Sequence, residues 1–207
     1  MWATPLINSM SNPNDRADIA LFVGGVRSGK SDQAQAWLER GAERKLYVAT
    51  CSPRDPETLE RVERHRKRRG DSWDCIEAPL LDVSDLRRYF SVKSSKGWGA
   101  QIDCLSMYLA NALEAGMERE EIFARLEELF STLEKLRLNA ALVSAECGLG
   151  FVPLSPLARK YGDLLGELNQ FCAARCQSVY FVSCGLLLPL KEANSPASAA
   201  ESRETAA

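Results

Sequence analysis

Residues 19–40 read IALFVGGVRSGKSDQAQAWLER, and the fold turns on this stretch. Ile19–Val23 is a short apolar run halted by Gly24 and Gly25, the pattern of a buried strand. From Ser31 to Arg40 the composition is helical, and Gly41 supplies a C-cap. Between the two, GGVRSGKS at 24–31 satisfies G-x-x-x-x-G-K-[ST] through Gly24, Gly29, Lys30 and Ser31. The glycines let the backbone fold tightly, so that successive N–H groups converge on a phosphate, and the helix adds the positive end of its dipole. Lys30 can reach the β- and γ-phosphates, and the Ser31 hydroxyl can hold Mg²⁺. A strand before and a helix after are the context this motif requires, so the chain reads as a P-loop nucleotide-binding protein.

Outward from the loop, strands and helices alternate. Lys45–Thr50, Asp74–Ala78, Ala140–Ala145 and Val179–Cys184 read as strands, with Val179–Cys184 the last of them. Ala100–Asp103 is a weaker one, because the segment before it is poor in apolar residues. Pro56–Arg69, Val83–Phe90, Leu105–Ala115, Glu118–Leu138 and Leu157–Arg175 read as helices. In Glu118–Leu138, Ile122, Leu126, Leu129, Leu133 and Leu136 recur at three- and four-residue steps. Ser91–Gly99 reads as a loop. This alternation implies an α/β fold, a mostly parallel sheet with helices on both faces. One domain over 18–191 is expected, between a loose leader at 1–17 and a small, polar, disordered tail at 192–207.

Composition narrows the function classes. Of the 207 residues, 45% are apolar and 26% charged, and the net charge of -2 offers no general attraction to nucleic acid or an anionic membrane. No apolar run approaches the ~18 residues of a membrane span, and the first residues lack the basic start and apolar core of a secretory signal. A cytoplasmic protein is expected. The seven cysteines form no C-x-x-C pair and only one histidine accompanies them, which points to buried free thiols rather than a zinc site.

A P-loop needs an acidic partner for its metal, usually at the end of a neighbouring strand. Asp103 is the first candidate and Glu146 the second, and each has a rival reading as an ordinary strand-end or capping carboxylate. The segment RVERHRKRR at 61–69 holds the single histidine. On a helix Arg61, His65 and Arg69 share a face. That stripe could grip a triphosphate and leave the His65 imidazole free as a nucleophile toward phosphorus. A solvated charged face and a nucleic-acid-binding helix are the rival readings, the latter disfavoured by the balanced charge and the lack of interleaved aromatics.

Taken together, GGVRSGKS, YVAT at 47–50, RVERHRKRR with Trp73, IDCLS at 102–106 and ECGLGFVPLSPLARKYGDLLGELNQ at 146–170 resemble the adenosylcobinamide kinase/adenosylcobinamide-phosphate guanylyltransferase family. The likeness runs in matching order from about Ile19 to Lys191. It implies a bifunctional enzyme of cobalamin assembly with a RecA-like fold and a homotrimeric state. Such an enzyme phosphorylates adenosylcobinamide with ATP or GTP. It then transfers GMP from GTP through a guanylylated histidine, giving adenosylcobinamide-GDP and pyrophosphate. Carried over by position, Gly24, Gly25, Val26, Arg27, Ser28, Gly29, Lys30 and Ser31 would hold phosphates, and Thr50, Cys51 and Ser52 would form a nucleotide-contacting turn. His65 would accept the guanylyl group with Arg66 to Arg69 beside it, and Glu77 and Asp103 would be acidic positions of the nucleotide site. Asn169 and Gln170 match an N-Q pair of the family. A P-loop kinase of another small molecule and a nucleotide-binding regulatory protein are the alternatives.

Overall fold

In the computed structural model of the chain, residues 17–51, 72–150 and 152–192 are described. The basic segment Pro56–Arg69, with His65, and Ser52 lie outside them, as do nearly all of the leader and tail. The described elements run β1 (Ile19–Gly24), α1 (Lys30–Glu39), β2 (Arg44–Ala49), β3 (Trp73–Glu77), α2 (Val83–Phe90), β4 (Trp98–Asp103), α3 (Leu105–Glu114), α4 (Arg119–Lys135), β5 (Asn139–Ala145), α5 (Pro156–Arg175), β6 (Ser178–Ser183) and β7 (Leu186–Lys191).

Among the described residues the strands form one seven-stranded sheet in the order β3-β2-β4-β5-β1-β6-β7. All pairings are parallel except β6–β7. The apolar runs of β1 and β5 lie at the centre because they can be covered on both sides: every residue of β1 is buried. One face carries α2, α3, α4 and α5 over a core that includes Leu21, Ile102, Tyr108, Leu126, Leu142 and Leu168. The other carries α1, whose Ala34, Trp37 and Leu38 pack on Phe22, Val143 and Val182. Ala17 is already 4% exposed and part of the core, so packing begins one residue before the expected domain boundary.

Two segments differ from expectation. β4 starts at Trp98, inside the segment read as a loop, and is buried through most of its length despite Gly99 and Gln101. The weak apolar signal has a packing cause. A Cβ on Gly99 would lie 2.7 Å from Leu38 Cδ2 and 3.0 Å from Ala42 Cβ, so the bare glycine is what lets α1 sit down on the sheet. The second is β7, an additional strand after Val179–Cys184. Cys184 and Gly185 both have positive φ, 53° and 77°, and join Ser183 to its partner Leu186 as a two-residue hairpin loop. Pro189 is tolerated because β7 is an edge strand.

The thiols also depart from a uniformly buried set. None of the seven is in a disulfide, but only Cys172 and Cys176 are buried, while Cys75, Cys147 and Cys184 are exposed. Burial pushes the Cys176 thiol up to about 12 and that of Cys172 well above its usual range. Apolar neighbours in sequence mark a buried thiol only where the strand or helix faces inward.

Candidate nucleotide site

The phosphate loop leaves β1 at the carboxyl edge of the sheet and enters α1. Arg27 and Gly29 adopt left-handed backbone, φ 56° and 92°, and Gly29 is the N-cap of α1 with no side chain capping the helix. The amides of the first turn therefore keep donors for an anion, next to the positive end of the helix dipole. Ser28 N–H donates to the Gly25 carbonyl (3.2 Å), which closes the loop on itself, and Gln33 N–H donates to that of Gly29 (3.0 Å), which starts α1. The half-buried Lys30 lays its ammonium across the loop, donating to the Gly25 carbonyl at 3.1 Å. The Ser31 hydroxyl makes no hydrogen bond among the described residues.

The β6–β7 turn buttresses this loop, a contact that reading Val179–Cys184 as the last strand does not anticipate. Gly185 N–H donates to the Ser28 carbonyl (2.8 Å), and Gln33 Nε2 donates to the Gly185 carbonyl (2.7 Å). Gly24 is required by a close approach: a Cβ there would lie 2.3 Å from the Val182 carbonyl oxygen and 2.7 Å from Ser28 Oγ. Gly24→Ala is therefore expected to lower stability by about 1–3 kcal/mol, as overpacking does, and to weaken GTP binding by displacing the loop. A thermal melt and a calorimetric titration check this, and an unchanged melt with unchanged affinity would contradict it.

The strand order puts β5 between β1 and β4, so the carboxyl end of β4 faces the loop from two strands away. Gln101, only 2% exposed, connects the two: its Nε2 donates to the Ser31 carbonyl (3.2 Å) and to Asp103 Oδ2 (3.1 Å). Glu146 is used differently. Its N–H donates to the Gly24 carbonyl (3.0 Å), extending the β5–β1 ladder, and its Oε1 accepts from Gly148 N–H at 2.5 Å. Of the two acidic candidates, then, Asp103 is tied to the first turn of α1, whereas Glu146 caps its own loop. Glu77 is exposed at the end of outer strand β3, two strands from Asp103, or about 10 Å.

Thr50 stands beside this edge with no exposed surface, and its hydroxyl is committed. It donates to the Cys104 carbonyl and accepts from Cys104 N–H, both at 2.7 Å. Its own carbonyl accepts from Asn111 Nδ2 (2.8 Å), which also bonds the Pro79 carbonyl (3.0 Å). Thr50 thus locks the turn that follows Asp103, and Cys51 is half-buried next to it. Asn169, on α5, donates to the Ala145 carbonyl (3.0 Å) and pins the end of β5 where Glu146 begins. Gln170 is exposed. Asn111, Gln101 and Gly185 escape a motif reading because their partners are distant in sequence.

Four buried side-chain atoms have no hydrogen-bond partner among the described residues: Ser28 Oγ, Gln101 Oε1, Ser144 Oγ and Asn169 Oδ1. All four lie in the phosphate loop, on β4 or β5 close to their carboxyl ends, or on the helix residue bonded to β5. Polar groups gathered along this edge of the sheet suit a polar ligand. Among the described residues no three His, Cys, Asp or Glu side chains cluster as a metal cage. A serine hydroxyl with a single carboxylate, both hard oxygen donors, suits Mg²⁺, which completes its shell with phosphate oxygens and water.

Fold and loop together define a P-loop nucleotide-binding α/β protein of RecA-like type. A KaiC-like protein from Pyrococcus horikoshii shares the fold, with a TM-score of 0.55 over 87% of this chain and 82% of that one at 16% identity. The profile of the cobinamide kinase / cobinamide phosphate guanyltransferase family matches residues 20–190, and the chain belongs to that family. The bifunctional adenosylcobalamin biosynthesis protein CobP of Pseudomonas aeruginosa is 37% identical over 171 residues, 83% of this chain and 96% of its own length. Its counterpart CobU of Escherichia coli is 29% identical over 183 residues, 83% of this chain and 98% of that protein.

Proposed function

We propose that this chain phosphorylates the aminopropanol hydroxyl of adenosylcobinamide with ATP or GTP, then transfers GMP from GTP to the product, giving adenosylcobinamide-GDP and pyrophosphate. The observation that carries the reading is the family match across 20–190, which spans an intact phosphate loop and the whole sheet except Ile19 and Lys191. In the first reaction the hydroxyl oxygen attacks the γ-phosphorus, the bond to the β-phosphate oxygen breaks, and the nucleoside diphosphate leaves. Residues Gly24 to Ser31 hold the phosphates through backbone N–H groups, and Lys30 leaves the Gly25 carbonyl to neutralise charge on the β- and γ-phosphates. Ser31 and Asp103 would hold Mg²⁺, which when bound offsets phosphate charge.

In the second reaction a ring nitrogen of His65 attacks the α-phosphorus of GTP and the bond to pyrophosphate breaks. An oxygen of adenosylcobinamide phosphate then attacks the same phosphorus and releases His65. Arg66 to Arg69 supply positive charge beside the acceptor, and splitting the transfer in two replaces one crowded displacement by two simpler ones. Incubation with α-³²P-GTP tests the scheme. It should leave an acid-labile, alkali-stable label on the protein that is discharged by adenosylcobinamide phosphate. Transfer of γ-phosphate to adenosylcobinamide with no label on the protein would leave a kinase alone.

The same proposal places the enzyme in the cytoplasm, where its nucleotides are made, and no described helix is long and apolar enough to cross a membrane. It also assembles as a homotrimer. Leu186, Leu188 and Leu190, 58–68% exposed along edge strand β7, offer an apolar surface for assembly. Sedimentation should give three times the chain mass, and a monomer at micromolar concentration would remove this part.

A further inference from the structure

Gln101 is an oddity in its strand. β4 is an inner strand, the cross-strand neighbours of Gln101 are the buried Ala141 and the half-buried Tyr47, and the same side of the strand accepts α1 through the bare Gly99. An apolar residue would fill position 101 without leaving an amide oxygen buried and unpartnered. What the amide achieves is a link between two elements far apart in sequence. One nitrogen donates both to the carbonyl of Ser31, in the first turn of α1, and to the carboxylate of Asp103. Donation to Oδ2 restrains the rotation of the carboxylate and leaves its other lone pairs to accept or ligate.

We propose that Gln101 is a positioning residue that sets Asp103 against Ser31 before nucleotide arrives, so that the two metal-holding oxygens share one geometry. The inference rests on the assignment of Ser31 and Asp103 as the metal-holding pair. Partners that orient a ligand without touching the ion typically change metal affinity about 10–100-fold when removed. Gln101→Met keeps length and volume but removes both donated bonds.

The test uses the full-length chain, the β,γ-imido analogue of ATP, and Mn²⁺ counted as free ion by electron paramagnetic resonance. Gln101→Met is expected to weaken Mn²⁺ binding in the nucleotide complex by about tenfold or more. Nucleotide affinity in EDTA should be unchanged, and the melting temperature equal to wild type or higher. Wild-type Mn²⁺ affinity in the variant would overturn the proposal, and a lowered melting temperature with normal Mn²⁺ affinity would reduce Gln101 to a packing residue and overturn it too. Should the variant not fold, the side-chain amide resonances of Gln101 in the wild-type protein decide. They should shift when Mg²⁺ joins the nucleotide complex, and an unmoved pair defeats the idea. Failure of the wild-type complex to bind Mn²⁺ at all would instead bring down the metal-holding role of Ser31 and Asp103.

Discussion

Replacing Lys30 by alanine is expected to cut both phosphoryl and guanylyl transfer by about 10³-fold or more while the protein stays folded. The ammonium is half-buried and its hydrogen bond is to a carbonyl of its own loop, Gly25, so removing it opens no cavity in the core. Stability should therefore move by no more than about 0.5 kcal/mol. Charge development is another matter. Phosphoryl transfer asks the protein chiefly for positioning and neutralisation, and loss of a single preorganised donor already costs about 10²–10³ in rate at an oxyanion. A cation placed against a triphosphate should count for at least as much. Arginine is a poor substitute, because its planar fork cannot occupy the place of a compact ammonium on the Gly25 carbonyl. Steady-state γ-phosphate transfer and pyrophosphate release, read beside a thermal melt, check the prediction. A folded Lys30→Ala enzyme that retains either activity would show that one loop does not serve both reactions.

His65→Ala should separate the two activities. The chain has a single histidine, so no other imidazole can take the guanylyl group. Removing a covalent nucleophile typically costs 10⁴-fold or more, roughly the scale seen when triad members are deleted in hydrolases. Guanylyl transfer should fall by at least about 10⁴-fold and the α-³²P label should vanish. Phosphorylation of adenosylcobinamide should stay within about twofold, because direct transfer of the γ-phosphate needs no protein nucleophile. Persistent labelling in the alanine variant, or adenosylcobinamide-GDP formed at the normal rate, would defeat the assignment.

The elements legible in the sequence share a physical property: their signal is local. The strand–loop–helix of residues 19–40 announces itself through an apolar run, a glycine pair and a lysine, all within reach of one another. α4 shows its face through three- and four-residue spacing, and its Ile122, Leu126, Leu129 and Leu133 are indeed fully buried. β4 was faint because its packing uses the absence of a side chain at Gly99 and a hydrogen-bonded amide at Gln101, and neither adds hydrophobicity. β7 is not legible in the sequence because its pairing depends on a turn whose first residue, Cys184, carries an uncommon positive φ. Its outward leucines also mask the alternation of a half-covered strand.

The site divides the same way. From the residues alone came the α/β class, the phosphate loop with its lysine and serine, two acidic candidates and a lone histidine in a basic run, because each is a short pattern whose chemistry needs no distant partner. Which carboxylate is linked to the first turn of α1 is decided by strand order. Placing β5 between β1 and β4 lets Gln101 bind Ser31 and Asp103 together, while Glu146 spends its carboxylate on Gly148. Tertiary structure alone could set the Gly185 brace, the Thr50–Cys104 clamp and the Asn169–Ala145 bond, since hydrogen bonds between residues 24 to 157 positions apart exist only once the sheet has brought their backbones together.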